Sequence, residues 1–190
     1  GDLNQYIAND CDAIVSGLYE YDVCYRPYFP EKLHFIPFPI KMEGRTQQAD
    51  VRGQKLRFFI GIQKNRSIYK GTDIMLRALE RLKKDFPDEI DIIKAENIPF
   101  NEYKTLMDDS DVLLDQLYSY TPAMNGLHAM SRGLILAGGG EPEQYEILNE
   151  KELRPIINVL PNEQDVYSKL LWLVEHREMI PTLKDQSIKY

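Results

Sequence analysis

KLRFFIGIQKNRSIYKGTDIMLRALERLKKDF, residues 55–86, passes from an apolar run of strand length, through a stretch rich in cations, into a helical repeat. Within 55–62 the apolar residues are nearly continuous, as in a strand buried on both faces. Beyond Thr72 the period changes. Met75, Leu79, Leu82 and Phe86 recur four, three and four apart, Ile74 and Ala78 widen the stripe, and Arg77, Glu80, Arg81 and Lys84 fall elsewhere. The spacing predicts a helix over 72–86 with one face on a sheet, Thr72 capping its N-terminus and Asp73 suiting the positive end of its dipole. Between strand and helix, a predicted loop carries Lys64, Arg66 and Lys70.

Outward from this unit the same alternation continues. Strands are expected at 89–95, 111–117, 134–139 and 156–160, and helices at 101–110, 124–132, 142–149 and from about 163. Strand and helix alternating with short connections is the pattern of an α/β fold, a doubly wound, Rossmann-like parallel sheet covered on both faces. Before it, 12–16 and 32–40 are further strand candidates, separated by the aromatic segment GLYEYDVCYRPYF. Residues 41–54 contain almost no apolar side chains and read as a linker or exposed loop, so the chain divides into 1–40 and 41–190.

The 190 residues carry 43% hydrophobic and 28% charged side chains, enough to bury a core. A net charge of −7 argues against a general nucleic-acid binder, whose affinity rests on excess Lys and Arg, so any anion site is local. Cys11 and Cys24 have no metal-ligand or disulfide-framework spacing and read as reduced thiols of a cytosolic protein. No apolar run approaches the ~18 residues of a membrane span. The start on Gly1 without a secretion signal reads as a cut within a longer protein.

Ligands of open parallel sheets bind beyond the carboxyl ends of the strands, at loops leading into helix N-termini. The loop at 63–71 lies at such a place, and its cations suit a phosphate or diphosphate; the competing reading is a solvated surface. It contains no G-x-x-x-x-G-K-[ST], and AGGGEPE at 137–143 is not a G-x-G-x-x-G after the first strand, which removes nucleotide triphosphatases and dehydrogenases.

The order of motifs resembles retaining GT-B glycosyltransferases of the group 1, or family 4-like, type. GIQKNRSIYKGTDIMLRALERL is similar to the start of their C-terminal, donor-binding domain, where a strand ending in Gly (here Gly61) precedes an Arg…Lys-Gly loop. YKTLMDDSDVLLDQLYSY and GLHAMSRGLILAGGGEPEQYEIL resemble the blocks that follow, and 1–40 is similar to the passage leaving the acceptor domain. The resemblance implies that Arg66 and Lys70 bind the donor diphosphate, stabilising the charge that develops as the glycosidic bond breaks, with no metal required. It places backbone N–H groups of Ala123 and Met124 on the phosphates, Ile98 and Tyr103 near the base, and Glu143, after Pro142, near the donor sugar. Glu143 also suits the helix dipole of 142–149. The family's two glutamates fall on Tyr120 and His128, neither a carboxylate. A neutral imidazole offers one acceptor, so His128 would hold a ribose less completely than a carboxylate; a packing role for His128 and a covering role for Tyr120 compete. Tyr19, Tyr21, Tyr25, Tyr28 and Phe29 suit either a carbohydrate surface or packing.

The function expected is transfer of a sugar from a nucleotide-diphosphate-sugar to a carbohydrate or lipid-linked glycan acceptor in bacterial glycan biosynthesis. This chain would be the donor-binding half, inactive without the missing N-terminal domain. The donor is a substrate, no separate cofactor is expected, and nucleic acid is not a partner. The location implied is cytoplasmic, with the missing domain as the route to the inner face of a membrane. The alternative is a nucleotide-diphosphate-binding domain without transfer activity, motivated by residues 120 and 128. A receiver-type domain is a third reading, against which the end of the first strand lacks an acidic cluster.

Overall fold

Leu56–Ile62 forms a strand, β3, whose side chains alternate between two cores, Phe58 and Ile60 facing one and Phe59 the other. The computed structural model describes residues 1–42 and 54–190, so most of the expected linker at 41–54 lies outside the described residues. Beside β3 run β4 (Ile90–Glu96), β5 (Val112–Leu114), β6 (Ile135–Gly138) and β7 (Ile157–Asn158), in the parallel order β4-β3-β5-β6-β7. The register places Phe59 beside Leu113 and Leu113 beside Leu136, all fully buried, so the apolar runs stack into continuous layers.

One face of the sheet is covered by α4 (Thr72–Asp85) and α8 (Glu163–Glu175), the other by α5 (Phe100–Asp108), α6 (Met124–Ser131) and α7 (Pro142–Ile147). The chain therefore has the α/β, Rossmann-like architecture that the alternation predicts. In α4 the buried residues are Thr72, Met75, Ala78, Leu79 and Leu82, the expected stripe. In α8, the Asn162 side chain accepts from the Asp165 N–H at 2.8 Å. A last helix, α9 (Ile180–Lys189), reaches back to the sheet. Its Lys184 pairs with Asp111 at 2.7 Å, the two side chains 5% and 4% exposed.

The differences from expectation have local causes. The loop at 63–71 is instead a 3₁₀ turn, Lys64–Arg66, and a short helix, α3 (Ser67–Lys70). Gly71, with φ of 69°, ends α3 and opens α4. Thr72 is consequently the first helical residue rather than a side-chain cap, and its hydroxyl lies 3.0 Å from that of Ser67. β5 stops early because the chain turns toward α3, where Leu117 N–H donates to the Lys70 carbonyl at 2.8 Å.

The N-terminal residues form α1 (Asp2–Asp10), β1 (Ile14–Ser16), α2 (Tyr19–Tyr25) and β2 (Leu33–Phe35), with β1 and β2 paired in parallel. β2 falls short of residue 40 because Pro37 and Pro39 bring no N–H to a ladder. Within this segment Asp22 accepts from Ser16 Oγ at 2.8 Å and from Arg26 Nε at 2.9 Å. Burial pushes its carboxyl up, but these partners outweigh burial and hold it below the usual range.

Candidate active site

The carboxyl ends of β3, β4 and β5 open onto a pocket of about 400 Å³. Among its walls are Gly61, Lys70, Ile98, Tyr103, Asp115 and Asn125. Gly61 is required there by space: a Cβ would lie 2.7 Å from both Cε2 and the hydroxyl of Tyr103. The Tyr103 ring is fixed from below by an edge contact with Phe59, centroids 4.8 Å apart, and from the side by its hydroxyl, which donates to Asn125 Oδ1 at 3.0 Å. Asn125 Nδ2 in turn donates to Asp115 Oδ1 at 3.2 Å.

Burial dominates the electrostatics of this chain of groups. It pushes the Tyr103 phenol up to about 12. It pushes the Asp115 carboxyl up as well, against the Asn125 hydrogen bond, the positive charge of Lys70 and the Gln116 N–H. No described residue makes a hydrogen bond or ion pair with the Lys70 ammonium. A cation with its donors unspent and a carboxyl, both half-buried, thus share one pocket.

Of the residues expected at the site, Gly61, Lys70, Ile98 and Tyr103 line this pocket, while the others lie outside its lining. Arg66 is exposed, its guanidinium 5.7 Å from the centre of the Tyr69 ring. Ala123 is the N-cap of α6 and Met124 its first residue; no side chain caps this end. His128 is half-buried farther along α6, its ring 6.4 Å from that of Phe100, which does line the pocket. Glu143 stands in the first turn of α7, and its charge acts on the Tyr19 phenol. Tyr120 is half-exposed and lies 5.8 Å from Tyr19, ring to ring.

Three residues escaped the sequence reading. Asp115 had a signal: a charge ending the apolar run DVLL, in a strand otherwise fully buried. Asn125 had a weaker one, an amide in the first turn of a helix facing the strand ends. Glu20 had none. Its Oε1 accepts from the Tyr120 N–H at 2.8 Å, the Thr121 N–H at 3.0 Å and Ser119 Oγ at 3.0 Å, and its Oε2 from Thr121 Oγ1 at 2.7 Å. The loop after β5 is therefore a nest of donors filled by a carboxylate from α2.

Both cysteines are free thiols. Among the described residues no group of three or more His, Cys, Asp or Glu side chains is placed to hold a metal ion, and no helix is long and apolar enough to cross a membrane.

No family model matches the chain, and no curated protein matches it. Solved structures do. A Staphylococcus aureus TarM mutant in complex with Fondaparinux, alpha-GlcNAc-glycerol and UDP superposes with a TM-score of 0.72 at 10% identity, covering 100% of this chain and 43% of that one. The pneumococcal O-GlcNAc transferase GtfA in complex with UDP and GlcNAc gives 0.67 at 11% identity, covering 100% and 44%. Anabaena HepE in complex with UDP and glucose gives 0.66 at 11% identity, covering 97% and 59%. The chain spans less than two thirds of each of these proteins. What it shares with them is the fold, that of one half of a GT-B glycosyltransferase.

Proposed function

We propose that this chain is the donor-binding half of a retaining GT-B glycosyltransferase that takes a nucleotide-diphosphate-sugar. The observation that carries the proposal is the Lys70 ammonium, without a partner among the described residues, in a pocket at the carboxyl ends of β3, β4 and β5. An ammonium so placed suits the diphosphate, whose negative charge grows as the sugar departs, and such a contact strengthens toward the transition state. In this reading residues 41–190 bind the donor and 1–40 belong to the junction with an acceptor domain. The acceptor is a carbohydrate or lipid-linked glycan, the setting bacterial and cytoplasmic, and the charge stabilisation comes from protein cations without a metal.

Within the pocket, Ile98 and Tyr103 form the wall for the base, and Gly61 gives that wall its room. In the same reading the free N–H groups at the start of α6, Ala123 and Met124, serve the phosphates. Arg66 reaches the same anion by swinging from its exposed position. A nucleotide-binding domain without transfer activity is the second reading, favoured by the absence of a carboxylate at positions 120 and 128.

A calorimetric screen of nucleoside diphosphates and their sugars tests the proposal. At least one diphosphate binds, and its monophosphate binds at least about tenfold more weakly through loss of a charge-assisted contact. Indifference to every nucleotide would contradict it. Sugar transfer by the full-length protein separates the first reading from the second.

A further inference from the structure

We infer that Asp115 takes up a proton when a phosphate-bearing ligand binds at Lys70, so that a neutral carboxylic acid shares the pocket with the ligand. The inference rests on the diphosphate reading of the pocket. Its geometric basis is that Asp115 and Lys70 line one cavity without forming an ion pair, leaving space for a third group between them. Asn125 is fixed in orientation because its carbonyl oxygen accepts from Tyr103, so its NH₂ meets Asp115 Oδ1. Oδ1 is thereby committed as an acceptor, while Oδ2 lies against α6, 3.2 Å from where a Cβ on Gly126 would stand.

The charges around Asp115 are few. Lys70 faces it from α3, Tyr103 from α5 through Asn125, and Asn125 and Gly126 from α6; β6 brings Gly138, and the following backbone brings the Gln116 N–H. Lys70 is the only cation among the described residues acting on it. Burial already disfavours the carboxylate, and Lys70 opposes burial. A diphosphate at Lys70 removes that opposing influence and adds negative charge of its own in a poorly solvated site, which favours the neutral acid. The proton is drawn from solvent, and no other bond changes.

Calorimetry with uridine diphosphate, run near neutral pH in two buffers of different ionisation enthalpy, measures the protons exchanged. The wild-type chain takes up more of a proton, up to one, per bound nucleotide than Asp115→Asn, whose amide mimics the neutral acid. Its affinity accordingly falls by up to about tenfold per pH unit above neutrality, relative to that variant. The comparison cancels protons exchanged by the nucleotide's own phosphate and by other groups common to both chains. The carbon-13 carboxyl resonance of Asp115 in the wild-type chain gives the same answer without a variant, moving to the neutral-acid position on addition of the nucleotide. Binding with equal proton exchange in both chains, or with an unmoved carboxyl resonance, would overturn the inference alone. Absence of nucleotide binding would overturn the diphosphate reading and the inference with it.

Discussion

At the scale of single residues, the pocket depends on a hydrogen at position 61. With Tyr103 2.7 Å from where a Cβ would stand, Gly61→Ala displaces the ring, because its hydroxyl is tied to Asn125 and its edge rests on Phe59. The expected result is weaker nucleotide binding, by roughly tenfold or more, at a loss of only about 1–3 kcal/mol in stability, the usual range for overpacking. Binding measured beside denaturant unfolding checks it. Asp115 makes a second prediction. Its carboxyl is raised above its unfolded value, so between those values the folded chain binds more protons and stability falls as pH rises through that window. Above the window the penalty is fully present. Asp115→Asn therefore raises the thermal midpoint at neutral pH, and the gain disappears in acid below the unfolded aspartate range.

At the scale of elements, the strands and helices of the sheet were readable because each carries a period of its own. Phe58–Phe59–Ile60 fills both cores from one strand, and the α4 stripe of Met75, Ala78, Leu79 and Leu82 is a pure helical pattern. What the periods miss is set by contacts between distant residues. The short helix before Gly71 and the early end of β5 meet where the Lys70 carbonyl takes the Leu117 N–H, a bond no local pattern announces. The site divides the same way: Lys70 and Gly61 are legible from their place after the first sheet strand, but the Tyr103–Asn125–Asp115 connection joins three elements. Glu20 is the extreme case, joining α2 to the loop after β5 across about a hundred residues of chain. Its role predicts that Glu20→Ala, by stranding the amides of Tyr120 and Thr121, speeds their hydrogen exchange and lowers stability by about 1–2 kcal/mol. Unchanged exchange at those two amides would show that the carboxylate does not hold the loop.

At the scale of the whole molecule, the chain has two unequal parts: a five-stranded sheet closed on both faces by helices, and an N-terminal segment whose β1–β2 pair stands apart from it. Two-stranded parallel sheets are seldom independent, and Tyr6, Val15, Tyr21 and Tyr28 remain exposed there. The central claim is nonetheless about the larger part, that Lys70 meets a diphosphate at the ends of its strands. Paired calorimetry of Lys70→Ala and Lys64→Ala tests it most directly, since both cations lie in the same short stretch but only Lys70 lines the pocket. Lys70→Ala should weaken uridine diphosphate binding by ~1.5–3 kcal/mol, the value of a charge-assisted hydrogen bond, and Lys64→Ala should leave it nearly unchanged even as salt is raised. Equal losses from both substitutions, shrinking together with added salt, would contradict the account and reduce the site to diffuse surface charge.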